Sequence, residues 1–196
     1  MFELEKEYSI IRAVLAGDIQ QYSLIVKEYQ QIVANLTFKL TGNRLDVEEV
    51  TQQVFVELYT SLPRFQFESR LSTFIYRITV NTVSKMLSRE NRIVSIDSVI
   101  MENKTEDHSQ EVNMLKEEQS RRLHQAIGQL KNEQRTALVL YTFDNFSYQD
   151  IAEVMQVSLS KVESLIFRAK KNLKKIIEAN SKKWNKNFQK KYWLNS

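Results

Sequence analysis

The sequence has 196 residues, of which 42% are hydrophobic and 27% charged, and its formal net charge is +4 at pH 7. A chain of this length folds as one domain or as two small ones. It contains no cysteine, which excludes disulfides and thiolate zinc sites, and no apolar run approaches the ~18 residues that a membrane span needs.

With three glycines, one proline and helical apolar spacing nearly throughout, the chain is predicted to be all-α. The acidic start MFELEKEY does not resemble a signal peptide, so we expect a soluble cytoplasmic protein. No glycine-rich phosphate loop is present, and neither His108 nor His124 has a second ligand at metal spacing. We therefore expect no catalytic site, no metal, no cofactor and no small-molecule substrate.

Two helices are predicted before residue 43. The first covers residues 5–16 and ends at Gly17; Asp18 then caps the second, with Gln21 completing a box-like Asp-x-x-Gln pattern. The second helix is expected to run to Gly42 and to carry a long apolar stripe that packs against the helices that follow. The stripe consists of Tyr22, Ile25, Val26, Tyr29, Val33, Leu36 and Leu40.

A third helix is predicted to begin at Asp46, because Glu49 three residues later completes a capping-box pattern. Its apolar face is formed by Val47, Val50, Val54 and Leu58. The opposite face carries Glu49, Gln52, Gln53 and Val56. From the residues alone, this opposite face is either a solvated surface or a surface that awaits a partner.

A loop with two aromatic rings follows in residues 63–69. Rings such as Phe65 and Phe67 either hold unstacked bases or form the core of the loop. The next helix, from about Arg70 to Glu90, is expected to bury Leu71, Phe74, Ile75 and Ile78.

The other side of this fourth helix carries a row of cations, an amide and small hydroxyls. The row consists of Arg70, Thr73, Arg77, Asn81, Ser84 and Ser88. Such groups bond phosphates and base edges without blocking the approach of a strand. The row therefore predicts a nucleic-acid surface.

Between residues 93 and 119 the composition changes, with seven acidic residues against two lysines and little periodicity. Such a composition is typical of a flexible linker between two domains. Helical spacing resumes near Val112 and continues through Leu130, and Asn132 is predicted to cap a further helix of about 12 residues.

Ser147 and Asp150 form another capping-box pattern, and Ser158 is expected to cap a longer basic helix after a tight turn. A helix, a short turn and a basic helix make a helix-turn-helix, whose second helix can enter a DNA major groove.

The two sides of the basic helix differ in composition. The inner side is predicted to be Val162, Ile166, Ala169, Leu173 and Ile176. Its outer side is predicted to be Ser160, Glu163, Ser164, Phe167 and Lys171, flanked by Lys161 and Arg168. Eleven Lys or Arg residues against two glutamates between residues 161 and 191 favour phosphate contacts.

Two blocks of sequence carry a family resemblance. The run GNRLDVEEVTQQVF, followed by the aromatic loop and STFIYRITVN, resembles the second conserved region of sigma-70-family initiation factors of the small extracytoplasmic-function type. The block SYQDIAEVMQVSLSKVESLIFRAKKNLKK resembles the fourth region of the same family. The resemblance implies two helical domains, with sigma region 2 in residues 1–92, an acidic linker in 93–111 and sigma region 4 in 112–180. It does not extend to the basic aromatic tail in residues 181–196.

The resemblance also implies partners and site residues. It implies a dissociable subunit that binds the clamp coiled coil and the flap of core RNA polymerase, recognises promoter DNA, and is commonly held by an anti-sigma factor that is often membrane-bound. The implied core-binding residues are Asp46, Glu49, Gln52, Gln53 and Val56. The implied minus-10 residues are Phe65, Phe67, Ser69, Arg70, Thr73, Arg77 and Asn81. The implied minus-35 residues are Ser158, Ser160, Lys161, Glu163, Ser164, Phe167, Arg168 and Lys171.

Some positions depart from the family pattern. The turn of the helix-turn-helix usually carries glycine, whereas Gln156 stands here, where a positive φ costs more. Glu163 and Leu165 stand where family members often have basic residues, so base preference cannot be copied. In the tail, Trp184, Phe188 and Tyr192 form an aromatic stripe that either packs on the domain or contacts polymerase, DNA or an anionic membrane surface.

Two other functions explain less of the sequence. A stand-alone helix-turn-helix transcription regulator accounts for the second block only. A helical module that regulates another DNA-binding factor accounts for the charge but for neither polar row.

Overall fold

The computed structural model describes residues 4–41, 46–94 and 122–180, and all regular structure within these ranges is helical, which confirms the all-α prediction. The α-helices are α1 (Leu4–Leu15), α2 (Tyr22–Thr41), α3 (Val47–Ser61), α4 (Leu71–Val94), α5 (122–128), α6 (Asn132–Phe143), α7 (Tyr148–Met155) and α8 (Leu159–Asn180). Two 3₁₀ turns, Ile19–Gln21 and Leu62–Arg64, precede α2 and follow α3. Most of the predicted linker and the whole tail lie outside the described residues. In the described ranges no helix combines the length and apolarity needed to cross a bilayer.

The amino-terminal half is a bundle in which α2, α3 and α4 pack on one another, with α1 beside α2. The helical spacing predicted its core, because Val50, Val54 and Leu58 of α3 are buried against the stripe of α2. Within that stripe Tyr22 and Val26 stay partly exposed. Each buried leucine or valine of this core contributes about 1.5–3 kcal/mol to the stability of the bundle, because its side chain is removed from water.

The ends of these helices agree with the sequence in part. Asp46 caps α3, where its Oδ1 accepts hydrogen bonds from the backbone N–H groups of Glu48 (2.8 Å) and Glu49 (3.1 Å). Gly17 adopts φ +103°, the left-handed conformation that ends α1. The predicted Asp18 cap is wrong, because a 3₁₀ turn comes between Asp18 and α2 and the Asp18 side chain makes no capping bond.

In the carboxy-terminal half, α8 packs on α6 and α7. The predicted inner side of α8 is mostly confirmed, since Val162, Ile166, Ala169 and Leu173 are buried. Its last position is Ile177 rather than Ile176. Leu165 is also buried, so it is a core residue of this half. The predicted Asn132 cap is shifted, because Lys131 holds the cap position and Asn132 is the first helical residue.

The two halves touch along α4 and α2. One face of α4 packs in the amino-terminal bundle, while a second face packs against α7. The second face includes Val80, Val83 and Leu87, which line a small cleft with residues of α6. Because α4 is covered on both sides, only a strip of its circumference remains for other contacts.

Polar contacts close the junction between the halves. Lys39 at the end of α2 forms an ion pair with Asp144, with 2.9 Å between Nζ and Oδ1. The hydroxyl of Tyr76 donates to the same carboxylate oxygen at 3.3 Å, and the Tyr76 ring lies 4.6 Å from that of Phe146. Burial and the negative charge of Asp144 raise the pKa of Tyr76.

Arg135 of α6 ties the same junction from inside. Its side chain is buried, and Nη1 donates to the carbonyl of Leu40 in α2 at 2.7 Å. Nη2 donates to the carbonyls of Gly128 and Leu130 at 2.6 and 2.9 Å, which closes the turn after α5. A buried guanidinium is tolerated only when it is hydrogen-bonded in this way. The bonds of Arg135 therefore favour the one arrangement of the two halves in which these carbonyls are within reach.

Candidate nucleic-acid and protein interfaces

The outer face of α3 presents the five residues for which the sequence implies a protein partner. Asp46, Glu49, Gln52, Gln53 and Val56 are all exposed, and Val56 has 58% of its surface in contact with solvent. An exposed valine among carboxylates and amides is suited to a partner helix with a mixed polar and apolar face. Oδ1 of Asp46 is already occupied by the helix cap.

Next to this face lies an open groove of about 690 Å³ between α2 and α3. Its α3 wall includes Gln52, which links it to the residues above, together with Val47, Glu48, Thr51 and Phe55. Its α2 wall is Val26, Gln30, Gln31 and Ala34. The sequence singled out Val26 for the core stripe and none of the other three. The half-exposed Val26 was predicted as core, and only the angle between the two helices shows that it borders a groove.

The aromatic loop places its two rings differently. Phe65 is only 6% exposed and packs against Phe74 at a centroid distance of 5.3 Å. The expectation that its ring holds an unstacked base does not agree with this position, because the ring forms the floor of the loop. Phe67 is half-buried, and its ring lies 5.0 Å from those of both Phe65 and Tyr8.

Phe67 also has an unusual backbone conformation, with φ +58°. In this left-handed region the Cβ of an L-residue approaches the following carbonyl, which costs roughly 1–2 kcal/mol. The conformation is compensated from α1, where the hydroxyl of Tyr8 donates to the Phe67 carbonyl at 3.1 Å and to that of Ser69 at 3.4 Å. The exposed guanidinium of Arg12 lies 5.5 Å from the Phe67 ring.

A second contact from α1 fixes the start of α4. The Glu7 side chain is buried, and one of its carboxylate oxygens accepts from the backbone N–H of Leu71 at 3.1 Å. The other accepts from the hydroxyl of Tyr29, whose pKa is raised by burial and by the hydrogen bond to Glu7. Glu7 therefore caps α4 from a helix that lies 64 residues earlier in the chain. Sequence reasoning missed Glu7, Tyr8 and Arg12, since no local spacing signals a contact of this range.

The polar row of α4 is brought together only in part. Arg70 and Asn81 are exposed, whereas Ser69, Thr73 and Arg77 are half-buried. Arg77 lies beside the Phe74 ring, with 6.0 Å from its guanidinium carbon to the ring centroid. Two further members of the row are also half-buried, and Ser84 lines the cleft against α6 while Ser88 bonds the Ser84 carbonyl. Arg70 and Asn81 are thus the exposed members of the row, and Ser84 is partly used in the cleft against α6.

The helix-turn-helix begins with a complete capping box. Ser147 Oγ accepts from the backbone N–H of Asp150 at 3.1 Å, and the Asp150 carboxylate accepts from the backbone N–H of Ser147 at 3.0 Å, as predicted. Gln156 ends α7 with φ 54°, the positive φ expected at this turn. Ser158 then caps α8 by accepting from the backbone N–H of Lys161 at 3.3 Å. These three elements end α7 and start α8 within a short turn.

All eight residues for which minus-35 contact is implied are exposed: Ser158, Ser160, Lys161, Glu163, Ser164, Phe167, Arg168 and Lys171. Phe167, at 69% exposure, is the most open of the large apolar side chains that the structure describes. Lys161 forms an ion pair of 2.7 Å with Glu133 of α6, and Ser158 is used by the cap. The outward surface of α8 therefore combines an exposed ring, hydroxyls and cations, which suits base edges and phosphates.

Within the described ranges, no three His, Cys, Asp or Glu side chains lie close enough to hold a metal ion. The strongly raised pKa values are those of tyrosines, and burial is the first cause of each. These tyrosines donate to carbonyl or carboxylate oxygens and have structural roles.

Comparison with known proteins identifies both halves. Residues 25–93 match the family model described as Sigma-70 region 2, and residues 120–173 match that described as Sigma-70, region 4. The chain is 32% identical over 190 residues to the RNA polymerase sigma-H factor of Pseudomonas aeruginosa, covering 91% of this chain and 97% of that protein. It is 30% identical over 187 residues to the ECF RNA polymerase sigma-E factor of Haemophilus influenzae, covering 91% and 98%.

Solved structures share the fold at lower identity. The structure of CnrH in complex with the cytosolic domain of CnrY matches with a TM-score of 0.61 and 19% identity, covering 89% of this chain and 99% of that one. The sigma factor RpoE in complex with the anti-sigma factor NepR from Bartonella quintana matches with a TM-score of 0.64 and 17% identity, covering 83% and 99%.

Replacing Gln156 with glycine is expected to stabilise the carboxy-terminal half by about 1 kcal/mol, because glycine adopts positive φ without the Cβ clash. Chemical denaturation followed by circular dichroism measures the change. Glu153→Gly is the matched control, since Glu153 is an exposed residue within α7, where glycine should destabilise by about 1 kcal/mol. Equal effects of the two substitutions would contradict the assignment of strain to Gln156.

Proposed function

The chain belongs to the sigma-70 family, in its extracytoplasmic-function group, and on that premise we propose that it is a dissociable subunit that directs RNA polymerase to a particular set of promoters. The observation that carries the proposal is the presence in one chain of two separate exposed surfaces suited to nucleic acid, one at the aromatic loop and α4 and one on α8. Sigma factors are initiation subunits without an enzymatic activity of their own, and the polymerase they serve acts in the cytoplasm.

We propose that core polymerase binds at α3. Its exposed residues Glu49, Gln52, Gln53 and Val56 and the adjoining groove with α2 offer a continuous surface for one or two partner helices. A coiled coil of the polymerase clamp has this shape. The carboxylates on the α3 face favour a partner with cations at its edge.

We propose that the loop and the exposed part of α4 hold the single-stranded minus-10 element. Phe67 supplies a ring for base stacking, while Arg70 and Asn81 are exposed to bind the backbone or a base edge. Phe65 contributes from below, as a packed support for the Phe67 ring. This assigns the two phenylalanines to different roles, which the sequence left open.

We propose that α8 reads the minus-35 element as duplex DNA. Ser160, Ser164 and Phe167 lie where they can face base edges, and Lys161, Arg168 and Lys171 are placed for phosphates. Glu163 is exposed among them and can accept from a cytosine amine. Its carboxylate would repel a phosphate, so we place it toward the groove floor.

The closed arrangement of the two halves has a consequence for promoter binding. Elements at minus-10 and minus-35 are about 25 base pairs apart, which is roughly 85 Å at about 3.4 Å per base pair. A compact chain of this length has a radius of gyration of about 16 Å and measures about 40 Å across. The halves must therefore separate at the Lys39–Asp144 and Tyr76–Phe146 contacts before both elements can be bound.

Sigma factors are also partners of anti-sigma factors, as in the structural neighbour RpoE, which was solved in complex with the anti-sigma factor NepR. We propose that an anti-sigma factor controls this chain as well. The groove between α2 and α3 and the face of α3 are open in the described structure, so a competitor could occupy the same surface as core polymerase.

Run-off transcription from the organism's own promoters tests the function directly. Purified core polymerase is assayed with and without the chain, and initiation that depends on the chain is the expected result. Core polymerase that neither binds the chain nor initiates, while the chain alone shifts promoter DNA, would overturn the proposal in favour of a stand-alone regulator.

Arg168→Ala is expected to weaken binding of the reconstituted holoenzyme to a minus-35 duplex of any sequence and to lower the salt slope by about one, because one phosphate contact is lost. Fluorescence anisotropy across a salt series measures both quantities. Lys27→Ala removes the same charge from an exposed position in α2 and serves as the control. An unchanged slope for Arg168→Ala would remove this contact from the interface.

A reversible cross-link between residues 39 and 144 is expected to abolish initiation, because it holds the halves together. The chain has no cysteine, so Lys39→Cys and Asp144→Cys introduce a unique pair for a bifunctional reagent with a disulfide in its spacer. Run-off transcription should return after the spacer is reduced. A pair at Glu5 and Ser9 within α1, treated identically, controls for the chemistry. Full activity of the cross-linked chain would contradict the need for opening.

A further inference from the structure

We propose that α1 is the positioning element of the aromatic loop and that Tyr8 is its key positioning residue, so that base selectivity at the minus-10 element depends on a helix outside the loop. The inference rests on the proposed function of the loop and assigns part of its selectivity to α1. It is carried by three contacts that converge on residues 65–71 from one face of α1.

The first contact acts on the backbone of the loop. Tyr8 donates its hydroxyl to the carbonyls of Phe67 and Ser69, which lie on either side of the exposed Glu68. These two bonds span the residue after the left-handed Phe67 and so fix the direction in which the chain leaves the turn. A non-glycine residue keeps positive φ only when its surroundings determine it, and Tyr8 provides this determination.

The second contact acts on the ring that is offered to a base. Phe67 meets Tyr8 edge-on, with an interplanar angle of 83°, and lies on Phe65 at 60°. The Arg12 guanidinium lies over the same ring at 5.5 Å. With Tyr8 and Phe65 against it and Arg12 over it, the Phe67 ring has few alternative rotamers, and it remains half-exposed. Such preorganisation is what converts a flexible aromatic residue into a selective one.

The third contact fixes the other end of the loop. Glu7, next to Tyr8 in sequence, accepts from the backbone N–H of Leu71 and so sets where α4 begins. Its second oxygen is held by the Tyr29 hydroxyl, which keeps the carboxylate in place. The loop is therefore held near its tip by Tyr8 and at its end by Glu7, both on one rigid helix. A shift of α1 would move both points together.

The test uses the full-length chain in complex with core polymerase and a set of labelled single-stranded non-template oligonucleotides. The set carries the minus-10 element of one dependent promoter, with each of the four bases in turn at each position. The readout is the ratio of affinities for the preferred base and the other three. Tyr8→Phe keeps the ring and removes only the hydroxyl, and it is expected to reduce this ratio by about two- to tenfold at one or more positions, the range expected for the loss of a hydrogen bond.

Tyr22→Phe is the matched control. Tyr22 also donates its hydroxyl to a backbone carbonyl, at 2.6 Å, but the acceptor is Phe55 of α3 and not a residue of the aromatic loop. It should lower thermal stability to a similar degree while leaving the affinity ratios unchanged. Binding of core polymerase and of the minus-35 duplex should be the same for wild type, Tyr8→Phe and Tyr22→Phe.

The outcomes separate this inference from the proposed function. A wild-type complex that binds all oligonucleotides equally, or none, would overturn the proposed function of the loop. A selective wild type with an equally selective Tyr8→Phe variant would overturn the inference alone. Equal losses of selectivity in Tyr8→Phe and Tyr22→Phe would also overturn it, because they would reflect general destabilisation.

Discussion

The burial of α4 along two of its faces is the constraint on which the rest of the structure depends. One face completes the core of the amino-terminal bundle, and a second receives α7 and the cleft residues of α6. Among the side chains of α4 that the structure describes, the strip with Arg77 at its edge and Asn81 in the open remains for a nucleic acid. One side of α4 thus stabilises the amino-terminal bundle, a second side holds the two halves together, and a third side carries the candidate minus-10 surface.

Backbone strain is concentrated next to the two candidate nucleic-acid surfaces. Among the described residues, Phe67, Asn145 and Gln156 are the non-glycine positions with positive φ. Phe67 is in the aromatic loop, and Gln156 is in the turn between α7 and α8. Asparagine tolerates this conformation best, and Asn145 follows the Asp144 that joins the two halves. In each place the chain turns sharply to present a side chain or a helix, and tertiary contacts or caps hold the turn.

The helices and their inner faces were predictable because they depend on local spacing. Val50, Val54 and Leu58 on α3 and the capping box of Ser147 and Asp150 follow from periodicity and cap chemistry within a few residues. The wrong predictions concern features that local spacing does not determine. Phe65 lies at a position whose exposure depends on which neighbour covers it, and no local pattern specifies that neighbour. Asn132 and Asp18 have the chemistry of helix caps, but the backbone enters the helix one residue earlier or through a 3₁₀ turn.

By itself, the sequence determined the all-α class, the order of the helices, the helix-turn-helix and the family to which the chain belongs. These features depend on hydrophobic periodicity, helix caps and motifs, all of which are formed by residues that are close in sequence. Only the tertiary structure decided that Glu7 and Tyr8 hold a loop some 60 residues away, that a groove separates α2 from α3, and that Asp144 joins the two halves. These features arise where distant segments meet at a particular angle. A linear pattern contains the side chains for such contacts, but the packing of whole helices selects their partners.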